Sequence, residues 1–163
     1  MLPEKLPGTK LSSKELYEEV ISVWHEPKLE YRWSAGIAIG KFLSGLKEGK
    51  ILASKCDNCG RVLVPPRIFC EWCFRRTDEW VEVKDTGRVN TFSVCYIDVA
   101  ARRVKEPQIP AVIEIDGSNG GILHLLGEVD PKEIEIGMRV KAVWKPKEER
   151  IGAITDIKYF KPL

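Results

Sequence analysis

Residues 56–60 read Cys56-Asp57-Asn58-Cys59-Gly60, and ten residues after Cys59, from Gly60 to Phe69, comes Cys70-Glu71-Trp72-Cys73. A C-x-x-C pair makes a tight turn that aims two sulfurs the same way, and Gly60 tolerates the backbone such a turn needs. Ten residues suffice for a strand, a turn at Pro65-Pro66 and a strand back, which brings the pairs together. Four thiolates then surround one ion tetrahedrally. Zinc fits this donor set best, with iron its chemical competitor. Four cysteines leave no open position, so the site is structural rather than catalytic. Its binding energy folds a segment too short to fold on its own apolar residues.

Upstream, the period is helical. Ser12-Ser13-Lys14-Glu15 has the form of a capping box, and Leu16, Val20, Val23 and Trp24 follow on one face, giving a helix from Ser13 to His25 that Pro27 ends. A second helix is expected from Ser34 to Lys47, where Ala35, Ala38, Ile39, Phe42 and Leu46 repeat and Gly49 marks the stop. Together they form an N-terminal helical arm, residues 1–50, too poor in apolar residues to make a core alone.

Downstream of Ile51 the period becomes two. Extended runs are expected at Ile51 to Lys55, Arg61 to Val64, Trp80 to Val83, Arg88 to Ile97, Ala111 to Ile115, Ile122 to Glu128, Arg139 to Trp144 and Ala153 to Phe160. The architecture is therefore mainly β, with a zinc ribbon over 51–80 and a β domain over 81–163. The size and strand number of the latter, and a Gly-rich turn at Asp116 to Gly121, suit an OB-fold, a five-stranded Greek-key barrel.

Composition sets further bounds. The chain has 163 residues, 44% hydrophobic and 31% charged, as in an ordinary soluble protein. Its 26 basic and 24 acidic residues give a net charge of +2, spread evenly from end to end. A nucleic-acid binder gathers Lys and Arg into patches, so a single-stranded nucleic-acid-binding role is the disfavoured alternative. The N-terminus carries acids and prolines where a signal peptide needs an apolar run, and no window is long enough for a membrane span. A cytoplasmic location is expected, where paired cysteines are metal ligands rather than disulfides.

No catalytic centre is legible. There are two histidines; His25 reads as a helix-end residue, and His124 as an exposed or satisfied strand residue opposite Leu123 and Leu125. Cys95 reads as a small buried hydrophobe of the barrel core. Arg102, Arg103 and Lys105 cluster in a loop between strands, where three cations can meet phosphates at the barrel rim; a solvated loop balanced by Glu106 is the plainer reading.

The serial pattern Phe42-Leu43-Ser44-Gly45-Leu46-Lys47-Glu48-Gly49-Lys50-Ile51-Leu52, the four cysteines, Pro65-Pro66-Arg67, Gly87-Arg88-Val89, Thr91-Phe92-Ser93, Pro110-Ala111-Val112 and Ile136-Gly137-Met138-Arg139-Val140 resembles an acyl-CoA-associated family, formerly a domain of unknown function. That family joins a rubredoxin-like zinc ribbon to an OB-fold. The resemblance implies a noncatalytic auxiliary subunit bound to a thiolase-superfamily enzyme, such as a thiolase or hydroxymethylglutaryl-CoA synthase. It also implies acyl-CoA as ligand, for whose nucleotide phosphates the cationic cluster Arg102, Arg103 and Lys105 is the candidate, beside zinc held by Cys56, Cys59, Cys70 and Cys73.

Overall fold

The helix predicted over 34–47 runs Gly36–Glu48 (α1) and ends as the sequence dictates. Gly49 takes the left-handed conformation at φ 78°, its N–H bonding Leu46 O at 2.9 Å while Lys50 N–H reaches Gly45 O at 2.9 Å. These are the two bonds of a Schellman motif. In this computed structural model the described residues are 12–14, 27–98 and 100–163. Ser13 and Lys14 are helical, and the rest of the helix expected from Ser13 to His25, His25 included, lies outside the described residues.

The chain divides into two compact units, Met1–Trp33 and Ser34–Leu163. In the first, the Tyr31 and Trp33 rings meet edge to face at 5.8 Å. The second contains α1, so the second helix of the expected arm packs on the chain's own β structure. Phe42 and Leu46 are buried in the same core as Ile51, Ile113 and Phe160. Ala35 and Ile39, expected on that buried face, are exposed; the helix contacts the core along the narrower line Ala38, Phe42, Gly45, Leu46.

Nine strands follow in the described residues: β1 Ile51–Lys55, β2 Val62–Leu63, β3 Glu79–Val83, β4 Thr86–Phe92, β5 Cys95–Ile97, β6 Arg103–Ile115, β7 Gly121–Leu126, β8 Arg139–Trp144 and β9 Ile157–Pro162. The first three form the sheet β2-β1-β3 of the ribbon. The order β4-β8-β9-β7-β6, with β4 also paired to β6, closes a five-stranded barrel, in which β7 and β9 are parallel and the other pairs antiparallel. Inward positions of β6 read Ile109, Ala111, Ile113 and Ile115, all buried, the alternation expected of a strand with one face on a core.

Three expected strands differ. The run Arg88 to Ile97 breaks after Phe92, where Ser93 N–H turns to Pro110 O, and the short β5 leaves the barrel to pair with the start of β6. The strand expected from Ala111 begins at Arg103: Pro107 and Pro110 look like terminators because proline has no N–H to donate, yet the strand passes through both. Ahead of β9, residues Ile154–Asp156 form a 3₁₀ turn. Buried Asp156 draws in the backbone N–H groups of Ile151, Gly152 and Ala153 at 3.0, 2.7 and 3.1 Å. Burial alone raises a carboxyl's pKa, but these three donors outweigh it and hold Asp156 below its ordinary value.

Candidate functional site

The two C-x-x-C turns share one backbone pattern. Cys56 N–H bonds Arg61 O at 2.9 Å and Gly60 N–H returns to Cys56 O at 2.8 Å; Cys70 N–H bonds Arg75 O and Phe74 N–H returns to Cys70 O, both at 2.8 Å. The left-handed position is filled by Gly60 at φ 69° in the first turn and by Phe74 at φ 53° in the second. The return after Pro65-Pro66, expected as a strand, is a loop with one bridge, Phe69 to Arg76. It is held by side chains: Arg67 N–H bonds Ser54 Oγ at 3.0 Å, and the Thr77 hydroxyl donates to Arg67 O.

The four cysteine sulfurs lie within 4.8 Å of one another, with Cys59 and Cys70 Sγ 3.6 Å apart. Around one zinc at about 2.3 Å from each sulfur, tetrahedral geometry spaces the sulfurs at roughly 3.8 Å. The donor set thus fits a closed four-thiolate zinc centre. The Cys59 and Asn58 N–H groups, against a burial penalty, bring Cys56 down to about 7. Cys59 gains from the Arg61 N–H, but burial and the thiols of Cys73, Cys56 and Cys70 push it up to about 12. A dication among them lets all four ionise together. Asn58 Nδ2 donates to Cys73 Sγ at 3.2 Å, stabilising that sulfur's charge.

The ribbon is fastened to the barrel by Asn119 in the β6–β7 turn. Its side chain accepts the Val62 N–H at 2.9 Å and its own N–H donates to Val62 O at 2.7 Å, so one residue completes the β2 edge. At neighbouring Gly120 an added Cβ would stand 2.2 Å from Val64 O. Glycine is required there by closeness, not by turn geometry.

On the barrel's outer face lies a groove of about 520 Å³, floored by Pro110, Leu123, Leu125 and Ile154, with Lys145 and Lys158 also in its lining. Leu123 is 68% exposed and Leu125 39%. His124, expected to face solvent or be satisfied, is satisfied: its ring lies edge-on to Phe160 at 5.7 Å, Nδ1 accepts the Leu125 N–H at 2.9 Å, and Nε2 is 3.2 Å from Ile154 O. Since Nδ1 is the acceptor, Nε2 carries the proton and donates to Ile154 O. Sequence reading missed this groove. The signal was Ile122-Leu123-His124-Leu125-Leu126, where burial of Ile122 and Leu126 forces two leucines outward.

The other expected residues lie elsewhere. Arg102, Arg103 and Lys105 are not in an open loop: Arg102 ends a tight turn in which its Nε and Nη2 grip Asp98 Oδ2 at 3.0 and 2.9 Å, and Arg103 and Lys105 are exposed on β6. The balancing carboxylate is Asp98, not Glu106. Its pKa is lowered first by the Arg102 N–H and side chain. Cys95 is not in the barrel core; it sits half-buried on β5, with Sγ 3.9 Å from Ser93 Oγ, because that strand lies outside the closed barrel. Among the described residues no helix is long and apolar enough to cross a membrane.

Comparison with known proteins agrees with this architecture. The model of the ChsH2 rubredoxin-like zinc ribbon domain matches residues 43–79, and that of the ChsH2 C-terminal OB-fold domain matches residues 80–145. DUF35 domain-containing scaffold proteins of Methanocaldococcus jannaschii and Methanothermobacter thermautotrophicus are each 31% identical over 116 residues, covering 69% of this chain and 82% and 86% of theirs. A DUF35-family protein of unknown function from Sulfolobus solfataricus is similar in structure, with a TM-score of 0.59 at 33% identity over 66% of this chain and 78% of that one. The Ltp2-ChsH2(DUF35) aldolase shares the fold, with a TM-score of 0.58 at 20% identity over 84% of this chain and 98% of that one. With the ribbon match followed by the OB-fold match, and 31% identity to a DUF35 scaffold protein, the chain belongs to the DUF35 family.

Proposed function

We propose that this protein is a noncatalytic, zinc-containing scaffold subunit that binds a thiolase-superfamily enzyme in the cytoplasm and helps to bind or pass on its acyl-CoA. The observation that carries the reading is the apolar groove over Pro110, Leu123, Leu125 and Ile154. A barrel that displays leucines outward in a groove with two lysines suits an elongated ligand with an apolar arm and anionic groups. The pantetheine arm lies in the groove. Arg103 and Lys105, on the strand that brings Pro110 into it, hold the phosphates together with Lys145 and Lys158, while Arg102 is engaged by Asp98. The scaffold designation of the archaeal relatives supports the auxiliary role. Zinc is structural in this reading, held by Cys56, Cys59, Cys70 and Cys73.

Calorimetric titration of acyl-CoA into the full chain tests the ligand. Leu123→Asp/Leu125→Asp is expected to weaken binding at least about tenfold, and Arg103→Ala/Lys105→Ala by a smaller, salt-dependent factor. Affinity unaltered in the leucine variant overturns the groove assignment. Copurification from the native host with mass spectrometry tests the partner: recovery of an acyl-CoA enzyme of the thiolase superfamily is expected, and its absence overturns that identification. A steep salt dependence with oligonucleotide, in place of acyl-CoA binding, transfers the groove to single-stranded nucleic acid.

A further inference from the structure

A second cleft, of about 500 Å³, lies where the ribbon meets the barrel, lined by Arg61 and Trp72 from the ribbon and by Asn90, Val112, Glu114 and Gly120 from the barrel. Its walls are held in fixed relation, because the Asn119 bonds and the close approach of Gly120 to Val64 fasten the two parts beside it. Three features define its chemistry.

The first is an indole platform. Arg61 covers one face of Trp72, its guanidinium carbon 4.1 Å from the ring centroid, and with Trp72 still 72% exposed the opposite face is open to a ligand. The second is a pair of acceptors. Asn90 Nδ2 donates to Glu114 Oε1 at 2.7 Å, which leaves Asn90 Oδ1 and Glu114 Oε2 to receive donors from a ligand. The third is charge. Arg61 Nη1 is paired with Glu71 Oε1 at 2.5 Å, so the arginine of the cleft is already neutralised while Glu114 adds a negative charge.

A flat group with several adjacent N–H donors and a positive charge satisfies all three. Guanidinium stacks on indole faces and pairs with carboxylates through a planar fork, whereas an ammonium offers a point charge and no plane. Neutral heterocycles supply the plane without the charge.

We propose that this cleft is a socket for an arginine side chain presented by the partner protein. That the arginine belongs to a partner rests on the scaffold reading; the preference of the cleft for guanidinium does not. The indole takes the flat face of the guanidinium, Glu114 and Asn90 take its N–H groups, and Val112 contacts its methylenes.

The test uses the full, zinc-loaded chain with acetyl-arginine amide and acetyl-lysine amide as probes. Each is titrated to about 50 mM, above the millimolar range expected of one side chain, and followed by NMR at the Trp72 indole N–H and Asn90 side-chain amide. The arginine probe is expected to shift both signals saturably and the lysine probe several-fold more weakly. Glu114→Gln is expected to weaken the arginine probe at least about fivefold, as is Trp72→Ala, both sites being exposed. No saturable shift, equal response to both probes, or unchanged affinity in Glu114→Gln overturns the proposal. A chain that binds acyl-CoA but not the arginine probe refutes the socket and leaves the scaffold reading standing; the reverse result refutes the acyl-CoA reading and leaves the socket.

Discussion

Arg139 holds Asp116 with both ends of its guanidinium, Nη1 to Oδ1 at 2.7 Å and Nη2 to Oδ2 at 2.5 Å. Thr86 Oγ1 donates to the same carboxylate at 2.6 Å. The three residues join the start of β4, the turn after β6 and the start of β8, fastening the seam where Arg88 pairs with Arg139 across the two strands. The Arg139 bonds first, then Thr86, hold the Asp116 carboxyl well below the usual carboxylate range. A lowered folded-state value stabilises the protein above the unfolded value of about 3.9 and is lost as pH falls below it. Arg139 is 45% exposed, so water screens the pair. Arg139→Ala is expected to lower stability at pH 7 and to flatten the acid limb of stability below about pH 4. Urea unfolding of both proteins across the acid range checks it; an unchanged acid limb refutes it.

Metal content separates the four clustered cysteines from the fifth. The full chain is expected to carry about one zinc. Cys70→Ser, which removes a buried ligand, is expected to lose the zinc and expose the ribbon to proteolysis, whereas Cys95→Ser keeps both metal and fold. Acid titration releases the ion because the thiolates must be deprotonated to hold it. Zinc retained in Cys70→Ser rejects the assignment.

Gly120→Ala probes the ribbon–barrel junction. The new Cβ meets backbone, Val64 O at 2.2 Å and Val64 N at 3.1 Å, which cannot swing aside as a side chain can. A loss of roughly 1–3 kcal/mol is expected, with faster amide exchange at Val62 and Asn119, whose mutual bonds lie beside the clash. Unchanged exchange there shows that the junction tolerates the added methyl.

Asp156→Asn replaces a buried acceptor of three N–H groups by one that also carries donors. A loss on the order of 3 kcal/mol is expected, together with reduced sensitivity of stability to acid. The sign follows from the lowered carboxyl value: the native contribution is present above about pH 4 and lost below it. Thermal unfolding at pH 7 and pH 3 distinguishes this from a neutral substitution.

The metal centre was fully legible because its determinants are local: two C-x-x-C turns and the distance between them. The helix stop at Gly49 and the strands Ile51–Lys55 and Arg139–Trp144 were legible for the same reason. What escaped was long-range. Pro107 and Pro110 read locally as breakers, though the strand through them is paired with β5 around Pro107 and with β7 at Pro110. Cys95 looked like core because β4 and β5 read as one extended run in sequence, and only the turn of Ser93 towards Pro110 shows them parting. Asp98 and Arg102, four residues apart, could have been recognised as a pair. The groove depends on which side of β7 faces inward, where buried Ile122 and Leu126 join a core that includes Phe160, distant in sequence.

Strand β6 keeps core and candidate ligand surface on opposite sides of one backbone. Its odd positions from 109 to 115 fill the barrel, while Pro110 lines the groove, Glu114 and Val112 line the cleft, and Val112 lies beside outward Leu123 across the pairing with β7. A combinatorial library at positions 112, 114, 123 and 125 can therefore change what the surface recognises without altering a buried side chain. This face is the natural starting point for redirecting the protein to new ligands by laboratory evolution.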